Sequence, residues 1–274
     1  TYGEAQVRKG NTILGAQIVA FNNPISGMYH FTTSNGSISR LLAVANNGGN
    51  NVTFFWDGAV WTSTGLVDTV GLKTRFESFL DNVVRVNGTD AVKSSTDGAT
   101  FAVNAALNDA AFPNGKFVKV YKDQMTVAGV NNNLDTLFVS SVVNAAGTAI
   151  SWTSGNREID INPEDGQNIT GLGEVGGMEI VFKERAMYRW NNRTTEADTV
   201  VDVGSSASDS IVNCGGGLLA FFNPKGIWLT SGEQPILISR RVQQWIDAIP
   251  AAFLDDVSAY GDGDHLFVSI GDVT

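Results

Sequence analysis

Side chains able to attack a bond are scarce in this chain. Its only imidazoles are His30 and His265, and imidazole is the commonest general acid or base near neutral pH. No Gly-x-Ser-x-Gly turn accompanies them, so no serine is presented as a hydrolase elbow presents one. Both histidines are expected as structural strand residues. Cys214, in Val-Asn-Cys-Gly-Gly-Gly, is the single thiol. It excludes an intrachain disulfide and every multi-cysteine zinc site, and it is expected as a small buried apolar residue. No Walker loop is present, and no Gly-x-Gly-x-x-Gly follows a strand as a dinucleotide fingerprint would. The expectation is no catalytic residue, no cofactor-binding residue, no metal ligand and no enzymatic activity.

Three stretches concentrate side-chain oxygens. "DINPEDG", residues 160 to 166, offers Asp160, Asn162, Glu164 and Asp165 before Gly166. Calcium loops need several hard oxygens and a glycine at the sharp turn. Here the spacing departs from that pattern, and the twelfth position counted from Asp160 is Gly171 instead of a glutamate. The reading favoured is an Asx-rich turn. "YGDGDH", residues 260 to 265, is read the same way. "SSTDGATF", residues 94 to 101, is similar to the Asp-box of sialidase-type propellers, with its glycine one position early and Phe101 in place of tryptophan. Such a box is a turn device in which an aspartate caps backbone N–H groups, so it predicts a hairpin and not catalysis.

The elements that must carry these turns recur. An aromatic, a short turn and then alternating apolar residues appear in "RFESFLDNVVRVNG", "KFVKVYKDQMTVAG", "MEIVFKERAMYRWN" and "LLAFFNPKGIWLTSG", with looser copies at 51–65 and 259–272. Period-two alternation is the strand signal. The turn centres fall near Asp57, Asp81, Asp123, Glu184, Lys225 and Gly263, spaced 24, 42, 61, 41 and 38 residues apart. Three of these spacings approach the roughly 40–50 residues of one four-stranded propeller blade. The long gap holds 131–170, read as an insertion between strands. The fold predicted is all-β and β-propeller-like, complete or partial, built from repeated antiparallel hairpins. Residues 1–14 read as an extended lead-in. One short helix is predicted over 239–249, N-capped by Ser239, ended by Pro250, with Val242, Trp245, Ile246 and Ile249 on one buried face.

The 274 residues include 30 glycines, and only 17% are charged. That composition suits tight turns and two-sided sheets, and residues 1–274 are read as a single domain, possibly part of a longer chain. No apolar run approaches the roughly 18 residues that a spanning helix needs. Eighteen basic against 28 acidic side chains give a net charge of −10. This argues against a basic groove that grips nucleic acid through its phosphates. An acidic wall that repels phosphate remains compatible with DNA passing close by.

"RVNGTD", "KDQMTVAGV…TLFVSS" and the run from "ISWTSGNREIDINPEDGQNITGLGEVGGMEIVFKERAMYRW" to "FFNPKGIWLTSG" resemble the β-propeller tail nozzle, or hub, proteins of tailed bacteriophages. These are also called packaged-DNA stabilisation proteins. The match runs through Asn168-Ile169-Thr170-Gly171-Leu172, Phe182-Lys183-Glu184 and Gly226-Ile227, and covers about 75–250. The resemblance implies a structural virion protein of the tail or neck, in a homo-oligomeric ring of six subunits. It would meet portal or adaptor and other tail proteins, with genomic DNA passing through unbound. The alternative from a different class is an extracellular propeller that binds or hydrolyses glycans, as a sialidase does.

Overall fold

A computed structural model describes residues 25–191 and 197–270; the lead-in expected over 1–14 lies outside them. Among the described residues, six antiparallel sheets follow one another in chain order. The first is β1 (Ile25–Thr32), β2 (Ser39–Asn46), β3 (Asn50–Trp56) and β4 (Trp61–Thr69). The second has three strands, β5 (Arg75–Phe79), β6 (Asn82–Val86) and β7 (Lys93–Ser95). The third is β8 (Phe117–Tyr121), β9 (Gln124–Ala128), β10 (Thr136–Val139) and β11 (Arg157–Asp160). The fourth is β12 (Ile169–Val175), β13 (Met178–Lys183), β14 (Met187–Trp190) and β15 (Asp198–Val201). The fifth is β16 (Val212–Asn213), β17 (Leu219–Asn223), β18 (Gly226–Thr230) and β19 (Ile236–Leu237). A hairpin, β20 (Ser258–Gly261) and β21 (Leu266–Ser269), forms the sixth. Each sheet is an up-and-down meander, and the first strand of each packs on the first strand of the next.

Five hydrophobic cores lie between successive sheets, so each middle sheet is buried on both faces. Phe31, Leu42 and Val44 meet Phe76 and Val83 between the first two sheets. Val84, the next residue, points the other way, into a core with Met125, Val127 and Trp152. Val181 and Trp190 face Tyr121 and Leu137 of the third sheet. Ile180 and Phe182 face Leu219 and Phe221 of the fifth. Phe222 turns into the last core with Ile246, Ile249 and Val257. Period-two alternation with both faces covered yields near-continuous apolar runs, which is why Asn82–Val86 and Leu219–Asn223 are buried throughout. The row of sheets also curls back on itself. Lys73, in the link to the second sheet, donates to the Asp255 carbonyl at 2.8 Å and pairs with Asp256 at 2.9 Å, just ahead of the sixth. The architecture is β-propeller-like, as the hairpin recurrence predicts.

All six predicted turns are observed, but they hold different places in their sheets. Asp57 turns β3 into β4; Asp81 and Asp123 turn first strands into second; Glu184 and Lys225 turn second strands into third. The uneven spacing of turn centres follows from that. First strands begin at Ile25, Arg75, Phe117, Ile169, Val212 and Ser258, hence 50, 42, 52, 43 and 46 residues apart, which is the regular repeat. The stretch 131–170 is accordingly not an insertion: it holds β10 and β11, which complete the third sheet.

The predicted helix over 239–249 is reduced to a 3-10 turn, Ser239–Val242, and one α turn, α1 (Gln243–Ile246). The change of helical pitch rotates Trp245 out of the shared face. Ile246 and Ile249 are buried, whereas Trp245 is 58% exposed. Ser239 caps no helix; its hydroxyl accepts the Ile227 N–H at 3.0 Å and so ties the turn to β18. No helix among the described residues is long and apolar enough to cross a membrane.

Candidate functional site

A cleft of about 650 Å³ opens where the turns of the fourth and fifth sheets meet the 3-10 turn Ala251–Asp256. Glu184 and Arg185 come from the β13–β14 turn and Lys225 from the β17–β18 turn; Asp202, Ser206 and Asp255 come from connecting segments. Val203, Pro224, Ala251 and Leu254 supply the apolar lining. Asn223 fixes the wall: its Oδ1 accepts the Lys225 N–H and Trp228 Nε1–H, each at 2.9 Å, while its Nδ2 donates to the Gly204 carbonyl at 3.0 Å. Gly204 itself threads the back of the β13–β14 turn. A Cβ there would lie 1.9 Å from the Lys183 carbonyl oxygen and 2.7 Å from the Ala186 nitrogen. Because those neighbours are backbone, they cannot swing aside. Gly204→Ala is expected to destabilise by about 1–3 kcal/mol or more, checked by urea unfolding; a loss under about 0.5 kcal/mol would contradict this packing.

Beside the cleft lies a buried polar constellation. Lys183 is fully buried at the end of β13, and its ammonium donates to Asp165 Oδ1 at 2.8 Å and to the Asn162 carbonyl at 3.1 Å. Tyr188 donates its hydroxyl to Asp165 Oδ2 at 2.8 Å and accepts Asn162 Nδ2–H at 3.1 Å. Its ring also lies 5.6 Å from the ammonium. Partial burial pushes the Asp165 carboxyl up, but hydrogen bonds from Lys183, Gln167 and Tyr188 outweigh it and hold it below its ordinary value. The oxygens of "DINPEDG" thus solvate an internal lysine. Asp160 turns aside to accept the Thr136 hydroxyl at 2.9 Å. The described residues contain no group of three or more histidine, cysteine, aspartate or glutamate side chains able to hold a metal.

The other sequence candidates lie apart from this site. Asp97 accepts the Ala99 and Thr100 N–H groups, each at 2.8 Å, and Ser95 accepts that of Gly98 at 2.8 Å, so the Asp-box is the turn device expected. Asp262 likewise accepts the N–H groups of Asp264 at 3.0 Å and His265 at 2.7 Å. His265 therefore sits in that turn and not in a strand, while His30 lies on β1 with Ser39 Oγ at 2.9 Å. Cys214 is half-buried instead of fully so. Gly171 to Gly176 spells Gly-x-Gly-x-x-Gly, but it forms β12 and its turn. A Cβ on Gly171 would lie 2.4 Å from Ile211, and one on Gly173 2.7 Å from Leu219, so those glycines serve packing.

Sequence reasoning missed the buried ionisable groups. Glu179 on β13 is fully buried, bonded by the Thr126 hydroxyl at 2.5 Å, and its other oxygen has no partner. Burial pushes its carboxyl to about 8, with Thr126 and Lys119 pulling down and Glu174 pushing up. Between the first two sheets, Asp68 and Arg85 form a buried pair. Burial raises Asp68 to about 6 although Arg85 draws it back. The signal was available in "MEIVFK": Glu179, Val181 and Lys183 share one strand face, and apolar neighbours on the other face mark a strand covered on both sides. The cleft joins the carboxylates of Glu184, Asp202 and Asp255 to the cations Arg185 and Lys225, and the Ser206 hydroxyl in its lining is buried without a hydrogen-bond partner.

No protein family profile and no curated protein matches the chain. Solved structures that are similar include BamB from Moraxella catarrhalis, at 10% identity and TM-score 0.45, over 78% of this chain and 62% of that one. YCF48 bound to D1 peptide shares 13% identity at TM-score 0.45, over 93% and 81%. PorZ, a surface component of the type-IX secretion system of Porphyromonas gingivalis, shares 13% at 0.41, over 78% and 32%. The match spans under two thirds of BamB and about a third of PorZ.

Proposed function

We propose that the chain is a non-enzymatic subunit of an oligomeric ring in the tail or neck of a tailed bacteriophage, around the passage of the genome. The observation that carries this reading is the row of β-propeller-like sheets, whose first strands begin 42 to 52 residues apart, in the stretch that resembles the nozzle proteins. The resemblance to nozzle proteins supplies the kind of assembly, and its matched residues take up strand and turn positions beside the cleft. The net charge of −10 suits a wall past which DNA slides, since DNA adheres where basic side chains neutralise phosphates.

Electron microscopy of the purified chain, paired with a DNA titration at low salt, tests the reading. Rings with weak DNA binding and no release of sugar from surface glycans are expected. A monomer at high concentration, tight salt-sensitive DNA binding, or glycan hydrolysis would each overturn it.

A further inference from the structure

The cleft between the fourth and fifth sheets gathers charged side chains of both signs that do not pair with one another. Arg185 and Lys225 line it together with Glu184, Asp202 and Asp255. Among the described residues, none of these five side chains enters an ion pair or a hydrogen bond. Just outside the cleft, by contrast, Lys73 pairs with Asp209 at 3.4 Å and Asp256 at 2.9 Å. What sets Arg185 and Lys225 apart from cations exposed elsewhere is their place: turns of adjacent sheets bring both into one concave space. The backbone beneath the charges is fixed. Gln167 Oε1 accepts the Arg185 N–H at 2.8 Å, and Asn223 Oδ1 accepts the Lys225 N–H at 2.9 Å. Gln243 Nε2 donates to the Lys225 carbonyl at 3.1 Å, and Lys73 donates to that of Asp255 at 2.8 Å.

Ser206 is a second, independent observation. Its hydroxyl is buried in the lining without a partner, and a buried hydroxyl costs stability unless a polar atom meets it. The neighbouring Ser205 pins that segment: its N–H donates to the Lys183 carbonyl at 3.0 Å and its hydroxyl to the Phe222 carbonyl at 2.8 Å. A polar group held this rigidly is preorganised for a ligand.

The lining selects the ligand's chemistry. Unpaired charges of both signs are answered by a molecule that carries both. No aromatic side chain lines the cleft, so a nucleobase finds no face to stack on, and three carboxylates repel a polyphosphate. Val203, Pro224, Ala251 and Leu254 offer apolar surface for a short aliphatic side chain. The volume of about 650 Å³ lies within the range of sites that enclose a ligand of a few residues. We propose that this cleft binds a short zwitterionic peptide. Its carboxylate would meet Arg185 and Lys225, its ammonium Glu184, Asp202 and Asp255, and a backbone peptide group the Ser206 hydroxyl. The proposal goes beyond the ring reading and does not depend on it.

Calorimetric titration of the whole chain with the tripeptide Ala-Leu-Ala, free at both ends, tests the proposal at low salt. Binding with a Kd below about 1 mM is expected. Acetylating the amino end or amidating the carboxyl end of the tripeptide should each weaken binding at least about ten-fold. The Arg185→Gln, Lys225→Gln and Ser206→Ala variants should weaken it as well. Ser206→Ala should leave the melting temperature unchanged or raised, because the hydroxyl that it removes has no partner. Amide shifts in NMR spectra should concentrate at 184–185, 202–206, 223–225 and 251–255. No binding of the free tripeptide at about ten times that concentration would overturn the site. Equal binding of the blocked peptides would show that the charges are not read and would overturn the ligand class. Undiminished binding by the variants, or shifts centred elsewhere, would overturn the assignment to this cleft.

Discussion

Asp165→Asn is expected to destabilise the fold by about 3–5 kcal/mol, because it leaves the fully buried Lys183 ammonium without its counter-charge. The substitution keeps shape and one acceptor oxygen, so the loss reports charge and not volume. Tyr188 and the Asn162 carbonyl would remain beside the ammonium, and neither carries a compensating charge. Adding Lys183→Met to the Asp165→Asn chain should recover part of the loss, since no unpaired charge then lies in the interior. The wild-type pair also sets an acid limit. The Asp165 pKa is depressed in the folded state, so its contribution is present above the unfolded carboxylate range and is lost as pH falls through the folded value. Urea unfolding of the single and double variants at neutral pH and in acid measures all three statements. A loss below about 1 kcal/mol for Asp165→Asn would show that water reaches the ammonium.

Glu179→Gln should act in the opposite direction. The folded-state carboxyl is raised from 4.5 to about 8, chiefly by burial, so the folded protein holds a proton that the unfolded chain releases. The favourable contribution is complete below about 4.5 and declines as pH rises, reaching its floor above about 8. Glutamine keeps the neutral shape at every pH. At pH 4 the variant should match wild type; at pH 8.5 it should be the more stable by on the order of 3–5 kcal/mol. Asp68, raised to about 6, adds its own decline with rising pH, so the informative quantity is the difference between variant and wild type. Lys119 does not confuse the window. Burial lowers it, yet the Glu77 carboxylate at 3.2 Å raises it on balance, and it stays charged throughout. Parallel stability curves for variant and wild type between pH 5 and 8 would refute a protonated Glu179.

Turns and buried charges differ in how far the sequence alone reveals them. The turns were legible because their chemistry is local. Asp97 caps N–H groups two and three residues ahead, and Asn223 accepts the Lys225 N–H two residues on while Gly226, at φ 145°, begins the returning strand. Such signals fit within a few residues of chain, so all six hairpins and the β-propeller-like class followed from them. Which strands of a sheet each turn connects was decided by the chain as a whole. The Asp57 hairpin closes a sheet, the Asp81 hairpin opens one, and similar sequences serve both.

The interior of the site was decided in the same non-local way. "DINPEDG" specifies a turn full of oxygens, but Lys183, eighteen residues further on, decides that those oxygens face an ammonium. "SRRVQQWIDAI" specifies a helical tendency with four apolar positions at helical spacing. The hydrogen bond of Ser239 to β18 and the packing of Ile246 and Ile249 on Val257 shorten it to a single α turn, leaving Trp245 in water. Glu179 and Lys183 have the spacing of a solvated strand face, and they are buried because a third sheet covers that face with Tyr121 and Leu137. The sequence by itself determined where the chain reverses, since a turn is closed by groups a few residues apart. Only the tertiary structure decided which charges are interior and which apolar side chains are left outside, because burial is set by what arrives on the far face from 40 or more residues away.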